Sequence, residues 1–420
     1  MNNQKFLRIA LFFTLSFHFS SIVILGDTLA VLKTNTISTP ESLQVKFDDI
    51  FTSSALNLFS SGQKIDSSEM DNFIIKDFTD YLKIFRQLEI LSYGPVSQAK
   101  TVRFLGIPSE RIGLFYDDNS YGVQSLYIPQ SGDIELQIAP LENIQSIQLV
   151  ENSSANLIEP GGYSSGLFLK QKEYLSGEPF SKHQFDHGIK GYRRAQVELG
   201  RPLFQNKLKF YLTAGFKKYA GNDNNTDQKL NNLTGKLSYD LSPNSKLVVN
   251  AFYYEGKKGL RAFPGWEVLG IRKKDRTTNL ISDFYKSILK NKTLKLKLGF
   301  LDSSQKLKPV DWDLKTRTYS FKAELYPNTL GKFNWKVGTN FKYDRLEEFQ
   351  THTRWSGNFN LGTLWQITPN LNHLSWVNFV KTQVFKPEIS ALTGLSWKLD
   401  PNLKVFAIAS RNIFYPTLFD

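Results

Sequence analysis

The sequence predicts an all-β chain: a transmembrane antiparallel β-barrel preceded by a smaller N-terminal α+β domain. Three observations predict it. The C-terminal half is a long series of segments that alternate apolar and polar residues. The connections between them alternate between short turns and long loops. The first 26 residues have the layout of an export signal.

Residues 1–26 carry Lys5 and Arg8, then an apolar run from Ile9 to Phe17, then Ile22-Val-Ile-Leu25 and Gly26. A basic start, an apolar centre and a small residue read as a secretory signal. A single anchoring helix is the alternative. Cleavage fits after Gly26 or after Ala30. No later stretch is apolar for long enough to form a membrane helix.

The 420 residues carry 52 Lys+Arg and 39 Asp+Glu, a net charge of +13, with no cysteine and five histidines. The lack of cysteine excludes disulfide scaffolds, Cys-ligated zinc and thiol catalysis. The charge is uneven. Residues 31–184 hold 12 basic and 19 acidic groups, and residues 185–420 hold 38 and 19. A domain boundary is therefore expected near residue 185, between two parts of opposite sign that attract each other. The basic groups are spread along strands and loops rather than gathered in a reading element, which argues against nucleic acid as a partner.

In the basic half, Thr293-Leu-Lys-Leu-Lys-Leu-Gly-Phe300 alternates at every step, and Phe333 to Tyr343 does so with aromatics on one face. Period-two segments also run over Leu208–Phe216, Leu247–Tyr253, Tyr319–Leu325, Phe359–Ile367, Ile389–Trp397 and Leu403–Ala409. Such alternation gives a strand one apolar and one polar face. About twelve strands are expected over 189–412, of about 10–13 residues each, which suits a tilted membrane crossing. Pro243-Asn244, Pro327-Asn328, Pro369-Asn370 and Pro401-Asn402 mark short turns, because Pro presets φ and Asn tolerates the left-handed region. Longer loops are expected over 218–230, 256–275, 303–313 and 345–355. Turns at one end and loops at the other are the layout of an outer-membrane barrel. Tyr326, Trp335, Trp365 and Trp376 are expected at its interface girdles. A large soluble β-sandwich shares the alternation but not the loop asymmetry or the signal.

The acidic part has a helical pattern over Lys76–Arg86, then Leu91-Ser-Tyr-Gly-Pro95, Thr101-Val-Arg-Phe-Leu-Gly106, Arg111 to Asp118, Ala139-Pro-Leu-Glu-Asn-Ile144, Ser154-Ala155, Gly161-Gly162 and Gly166-Leu-Phe-Leu-Lys170. In this order the segments resemble the plug domain of TonB-dependent outer-membrane receptors, including those for cobalamin and siderophores. The resemblance covers roughly 70–170, and Ser410 to Asp420 resembles a segment found midway along the barrel of that family. Leu105, Asp118 and Glu151-Asn152 depart from the family pattern, which alters the charged latch between plug and barrel.

The resemblance implies a signal at 1–26, an N-terminal extension at 27–69, a plug at 70–184 and a barrel at 185–420. It implies about 22 strands in a complete barrel, so a truncated chain is expected, with a true twelve-strand barrel as the alternative. Asp27, Thr28, Leu29, Ala30 and Val31 resemble the TonB box, whose strand adds to a sheet of the periplasmic partner TonB. By matched position, the ligand-binding apices hold Tyr93, Gly94, Ser97, Gln98, Tyr121 and Tyr127, and an outer loop adds Arg261 and Trp266. That basic, aromatic loop suits either an anionic chelate or lipopolysaccharide.

The implied activity is active import across the bacterial outer membrane of a scarce, bulky nutrient such as cobalamin or a ferric siderophore. Energy is supplied through TonB, and the partners are that protein, outer-membrane lipid and the ligand. No resident cofactor is implied. A passive barrel without a plug is the second reading. No Ser-His-Asp order, HExxH, phosphate loop or dinucleotide fingerprint marks an enzyme. His183 and His187 stand four apart, but the composition around Gly188 argues against a helical metal site.

Overall fold

The structure is a computed structural model. It describes residues 47, 49–60, 63–70, 78–92, 100–108, 111–117, 119–120, 136, 143–158, 163–174, 178–221, 225–260, 270–289, 291–309, 312–348, 350–400 and 403–413.

The N-terminal domain starts with helix α1 (Ile50–Phe59). Strand β1 (Lys64–Asp66) and the short helices α2 (Ser67–Met70) and α3 (Phe78–Leu82) follow. Then come β2 (Leu88–Ser92), β3 (Lys100–Phe104), β4 (Ile112–Tyr116), β5 (Asn119–Ser120), β6 (Ile144–Val150) and β7 (Ser165–Gln171). Five strands form one sheet in the order β1-β6-β7-β4-β5, and β2-β3 is a separate hairpin. Every residue of β4 is buried, so this strand is a near-continuous apolar run. Of the helical pattern over 76–86, Phe78–Leu82 form α3, and the chain enters β2 six residues after Leu82. The fold begins before residue 70: β1 pairs with β6 through Ile65 and Ile147.

The C-terminal part is one sheet of thirteen antiparallel strands, each paired with its sequence neighbour, from β8 (Phe180–His187) to β20 (Lys404–Arg411). Between them run β9 (Arg193–Leu203), β10 (Leu208–Tyr219), β11 (Gln228–Ser242), β12 (Ser245–Gly259), β13 (Arg272–Leu289) and β14 (Lys292–Lys308). β15 (Trp312–Pro327), β16 (Phe333–Glu347), β17 (Thr351–Thr368), β18 (Leu371–Thr382) and β19 (Glu388–Lys398) complete it. Strands β13 and β17 reach 18 residues. That exceeds the roughly 9–11 residues that cross a bilayer. Much of 303–313 and 345–355 is therefore strand, not loop. The alternation simply continues past the membrane edge with polar residues on both faces.

The burial pattern inverts that of a soluble protein. On β14, Lys295 is 3% exposed and Lys297 5%, while the neighbouring Leu298 is 61% exposed. Lys295 and Lys297 both approach Asp283 on β13, at 3.7 and 3.8 Å. Buried charges need such partners. Phe341, Phe359, Leu361, Phe379 and Leu395 are likewise exposed, while Lys336, Asn360 and Asn378 are buried. A sheet that turns apolar residues outward and polar residues inward is built to sit in lipid. No described helix is long and apolar enough to cross a membrane.

The apolar band has aromatic borders. Phe300, Tyr319, Tyr343 and Trp355 lie directly opposite one another across β14, β15, β16 and β17. Phe333 and Trp365 pair at the turn end. From Phe333 to Tyr343 is about 33 Å along the strand, or about 25 Å at the usual tilt, the height of a lipid-facing band. Of the aromatics expected at the girdles, Trp365 is exposed, but Tyr326 and Trp376 are buried. They fall on the inward parity of their strands and serve the domain inside.

Candidate functional site: the plug–wall interface

The N-terminal domain touches the inner face of the sheet from β9 to β20, so the sheet wraps around it as a wall around a plug. The plug core, with Leu114, Ile147, Leu149 and Leu169 at its centre, takes in Leu230, Phe252 and Tyr254 from β11 and β12. A second cluster places Phe51, Ala55, Leu56 and Phe59 of α1 against Leu364, Leu374, Trp376 and Leu392 of the wall. Helical spacing puts Phe51, Ala55 and Phe59 on one face. The wall makes room with glycine. A Cβ on Gly362 would lie 2.3 Å from the Trp376 ring and 3.0 Å from Phe51, and one on Gly394 would lie 2.9 Å from Phe59.

Polar contacts fix both ends of α1. Asp49 caps the helix by accepting from the Thr52 amide at 3.0 Å. Its other carboxylate oxygen lies 2.5 Å from Lys336 Nζ on β16. Lys336 also donates to Thr52 Oγ1 at 3.0 Å and pairs with Glu324 at 2.8 Å. Glu324 pairs in turn with Lys322 at 2.9 Å, and Lys322 donates to the Ile158 carbonyl of the plug. At the other end, Lys404 of β20 donates to the carbonyls of Asn57 and Ser60, at 2.7 and 2.8 Å. A cation at a helix C-terminus meets the negative end of its dipole. Asn152 adds a donor to the Phe59 carbonyl at 2.6 Å. Tyr326 donates from the wall to the Phe47 carbonyl at 2.8 Å.

A second anchor stands on β11. Lys236 of β11 reaches Asp117 and Glu173 of the plug, each at 3.2 Å. Asp117 has a positive φ of 53°, which turns its other carboxylate oxygen onto the Gln171 amide at 2.9 Å. Burial raises the Glu173 carboxyl, but the charge and hydrogen bond of Lys236 outweigh it and hold the group below its ordinary value. Lys172 of the plug pairs with Glu198 of β9 at 3.2 Å.

The interface thus has a direction. Lys236, Lys322, Lys336 and Lys404 come from the wall, and the plug supplies Asp49, Asp117, Glu173 and three carbonyls. This is the attraction between an acidic and a basic part that the charge count predicts, with Lys172–Glu198 running the other way. The departures from the family pattern have local uses. Leu105 takes a positive φ in the turn after β3, Glu151 accepts from Gln87 at 2.9 Å, and Asn152 holds α1. Asp118 lies outside the described residues.

The sequence-expected site residues are not placed. Asp27, Thr28, Leu29, Ala30 and Val31 of the box lie outside the described residues. So do Tyr93, Gly94, Ser97, Gln98, Tyr121, Tyr127, Arg261 and Trp266. His183 and His187 are both on β8, where four residues span about 13 Å, too far apart to share one ion. Among the described residues no group of three His, Asp or Glu is arranged to hold a metal. The residues that seat the plug were missed by the sequence reading. The signal for α1 was present: Asp49 before a run with apolar residues at 51, 55, 56 and 59.

No family model matches the sequence, and no curated protein matches it. Solved structures do. The siderophore receptor PirA from Pseudomonas aeruginosa superposes with a TM-score of 0.66 at 13% identity, covering 85% of this chain and 62% of its own. A variant of the ferric enterobactin receptor PfeA from Pseudomonas aeruginosa gives 0.70 at 12%, covering 87% and 64%. The copper transporter OprC gives 0.71 at 10%, covering 85% and 65%. The chain spans less than two thirds of each of these proteins. At such identities the likeness is one of fold: this chain has the plug-and-barrel fold of TonB-dependent receptors, as the order of its sequence segments anticipated.

Proposed function

We propose that the chain is an energised outer-membrane receptor that imports a scarce metal chelate, of the ferric siderophore or cobalamin kind. The observation that carries this is the seated plug: a folded domain held against the inner face of a lipid-facing wall by inward-facing lysines. A passive channel has no use for such a domain. Ion pairs are suited to a seat that must hold at rest and yield under load, because they are directional and need little sliding surface. In this reading the segment Asp27–Val31 pairs with TonB as an added strand. Force then arrives at α1, the first described element after it. The apices at Tyr93–Gln98 and Tyr121–Tyr127, with Arg261 and Trp266, meet the ligand on the outer side. Titrating the refolded chain with cobalamin and a panel of ferric chelates tests the reading. Saturable binding of one member supports it, and binding of none rejects import of this class.

A further inference from the structure

The inner face of the wall gathers cations beside the seat of α1. Lys297 of β14 and Lys322 of β15 lie directly opposite each other. Lys295 stands two residues from Lys297 on the same strand, and Lys336 stands on β16. All four are buried. Like charges directly opposite on a sheet weaken it, and a buried charge is costly unless it is paired. The wall offsets them in part. Asp283 approaches Lys295 and Lys297, and Glu324 pairs with Lys322 and Lys336. Within this group the lysines outnumber the wall's own carboxylates two to one. Local rules broken at a cost in stability point to a functional position.

At rest the plug adds its own partners. Asp49 pairs with Lys336, and the Ile158 carbonyl accepts from Lys322 at 3.1 Å. Both belong to the plug, so they leave when that part of it moves. The lysines stay on the wall, in a cleft whose low-dielectric sides focus their field. A buried cation that loses its partner is left uncompensated, so an anion entering the cleft is drawn to the place that Asp49 held. Neighbouring strands are about 4.8 Å apart, and residues two apart on a strand about 7 Å. The four lysines therefore root in an area of about 7 by 10 Å, wide enough to meet several anionic groups of one ligand. Past Gly338 the row that holds Glu324 turns neutral, through Asn360, Asn378 and Ser390. We propose that Lys295, Lys297, Lys322 and Lys336 form a transit site, at which carboxylate, phosphate or catecholate oxygens of the cargo take the place of Asp49 once α1 has left its seat. The plug carboxylate is then a placeholder for the ligand. The proposal rests on the import reading and narrows its cargo to a chelate with several negative charges.

The chain has no cysteine, so one introduced thiol reports on one place. Asn340→Cys puts it directly opposite Lys322, in the full chain in non-ionic detergent, with the seat opened by Asp49→Ala. The probes are two methanethiosulfonates of similar size, one carrying a sulfonate and the other a trimethylammonium group. The ratio of their rates cancels any change in the thiol itself. The sulfonate reagent should react faster by about tenfold or more, the gain that a focused field of one sign gives. Adding Lys297→Gln and Lys322→Gln equalises lysines and wall carboxylates in the group and should bring the ratio close to one. Asn378→Cys, on the neutral stretch, should show no such preference. Heat-shifted electrophoretic mobility confirms that each variant is folded. Equal rates for the two reagents at Asn340→Cys overturn the proposal, as does a preference that survives the two Gln changes or is as large at Asn378→Cys. A thiol at 340 that neither reagent reaches with the seat broken, by Asp49→Ala or by Gly362→Val, overturns it too. No cargo enters this test. Failure of every chelate to bind would leave the charge preference standing, and loss of the preference would leave binding at the apices standing, so the two readings fail separately.

Discussion

Lys336 of the wall and Asp49 of the plug meet with 2.5 Å between Nζ and Oδ2, although 287 residues separate them. The same carboxylate group caps α1, so one side chain starts the helix and fastens it to the wall. Removing one partner of a buried pair typically costs about 3–5 kcal/mol, because the other charge is left uncompensated. Lys336→Met should therefore free α1 without unfolding the wall. Hydrogen exchange of residues 50–59 should accelerate by about a hundredfold, while exchange in β14 stays at its wild-type rate.

Gly362 predicts a packing effect at the same seat. Its missing side chain is the space that the Trp376 indole and Phe51 occupy. Gly362→Val should displace both rings and destabilise the seat by about 1–3 kcal/mol, the usual cost of overpacking. The check is exchange over 50–59 in the variant, which should rise by about tenfold or more. Gly357 of β17 is the control: a Cβ there would meet only the Asn340 carbonyl, at 3.8 Å, so Gly357→Val should leave exchange over 50–59 unchanged.

The Lys236 anchor predicts a pH response. Glu173 is held below its ordinary value of 4.5. A depressed carboxyl stabilises the folded state at pH values above the unfolded pKa, and that contribution is lost as pH falls through the folded value. The anchor should be complete at neutral pH and weaken only below about pH 4.5. Exchange of the β7 amides between pH 6 and pH 3, corrected for intrinsic rates, should show the loss. Glu173→Gln should remove most of this dependence and raise exchange at pH 6.

Much of the wall was legible in the sequence, because membrane strands announce themselves by strict alternation and turn chemistry. Thr293 to Phe300 is strand, and Pro243-Asn244 and Pro369-Asn370 are turns. Which face looks inward was legible only with the membrane assumption, since Lys295 is buried here and would be outside in a soluble sheet. Tyr326 and Trp376 were misread because aromatic type was weighed above parity. The seat of the plug was not legible. Asp49 and Lys336, like Lys236 and Glu173, are distant in sequence, and nothing local distinguishes these lysines from the wall's other inward-facing ones. The opposite charges of the two parts foretold an attraction, but only the fold says where it acts.

Capture of the full chain by an immobilised TonB C-terminal domain tests the central claim most directly. The account predicts capture by wild type and its loss on Leu29→Pro, because proline removes a backbone donor from the added strand. Lys336→Met should be captured as well as wild type, since it alters the seat and not the handle. Capture of Leu29→Pro at the wild-type level, or none of the wild type, would contradict energised import through this segment.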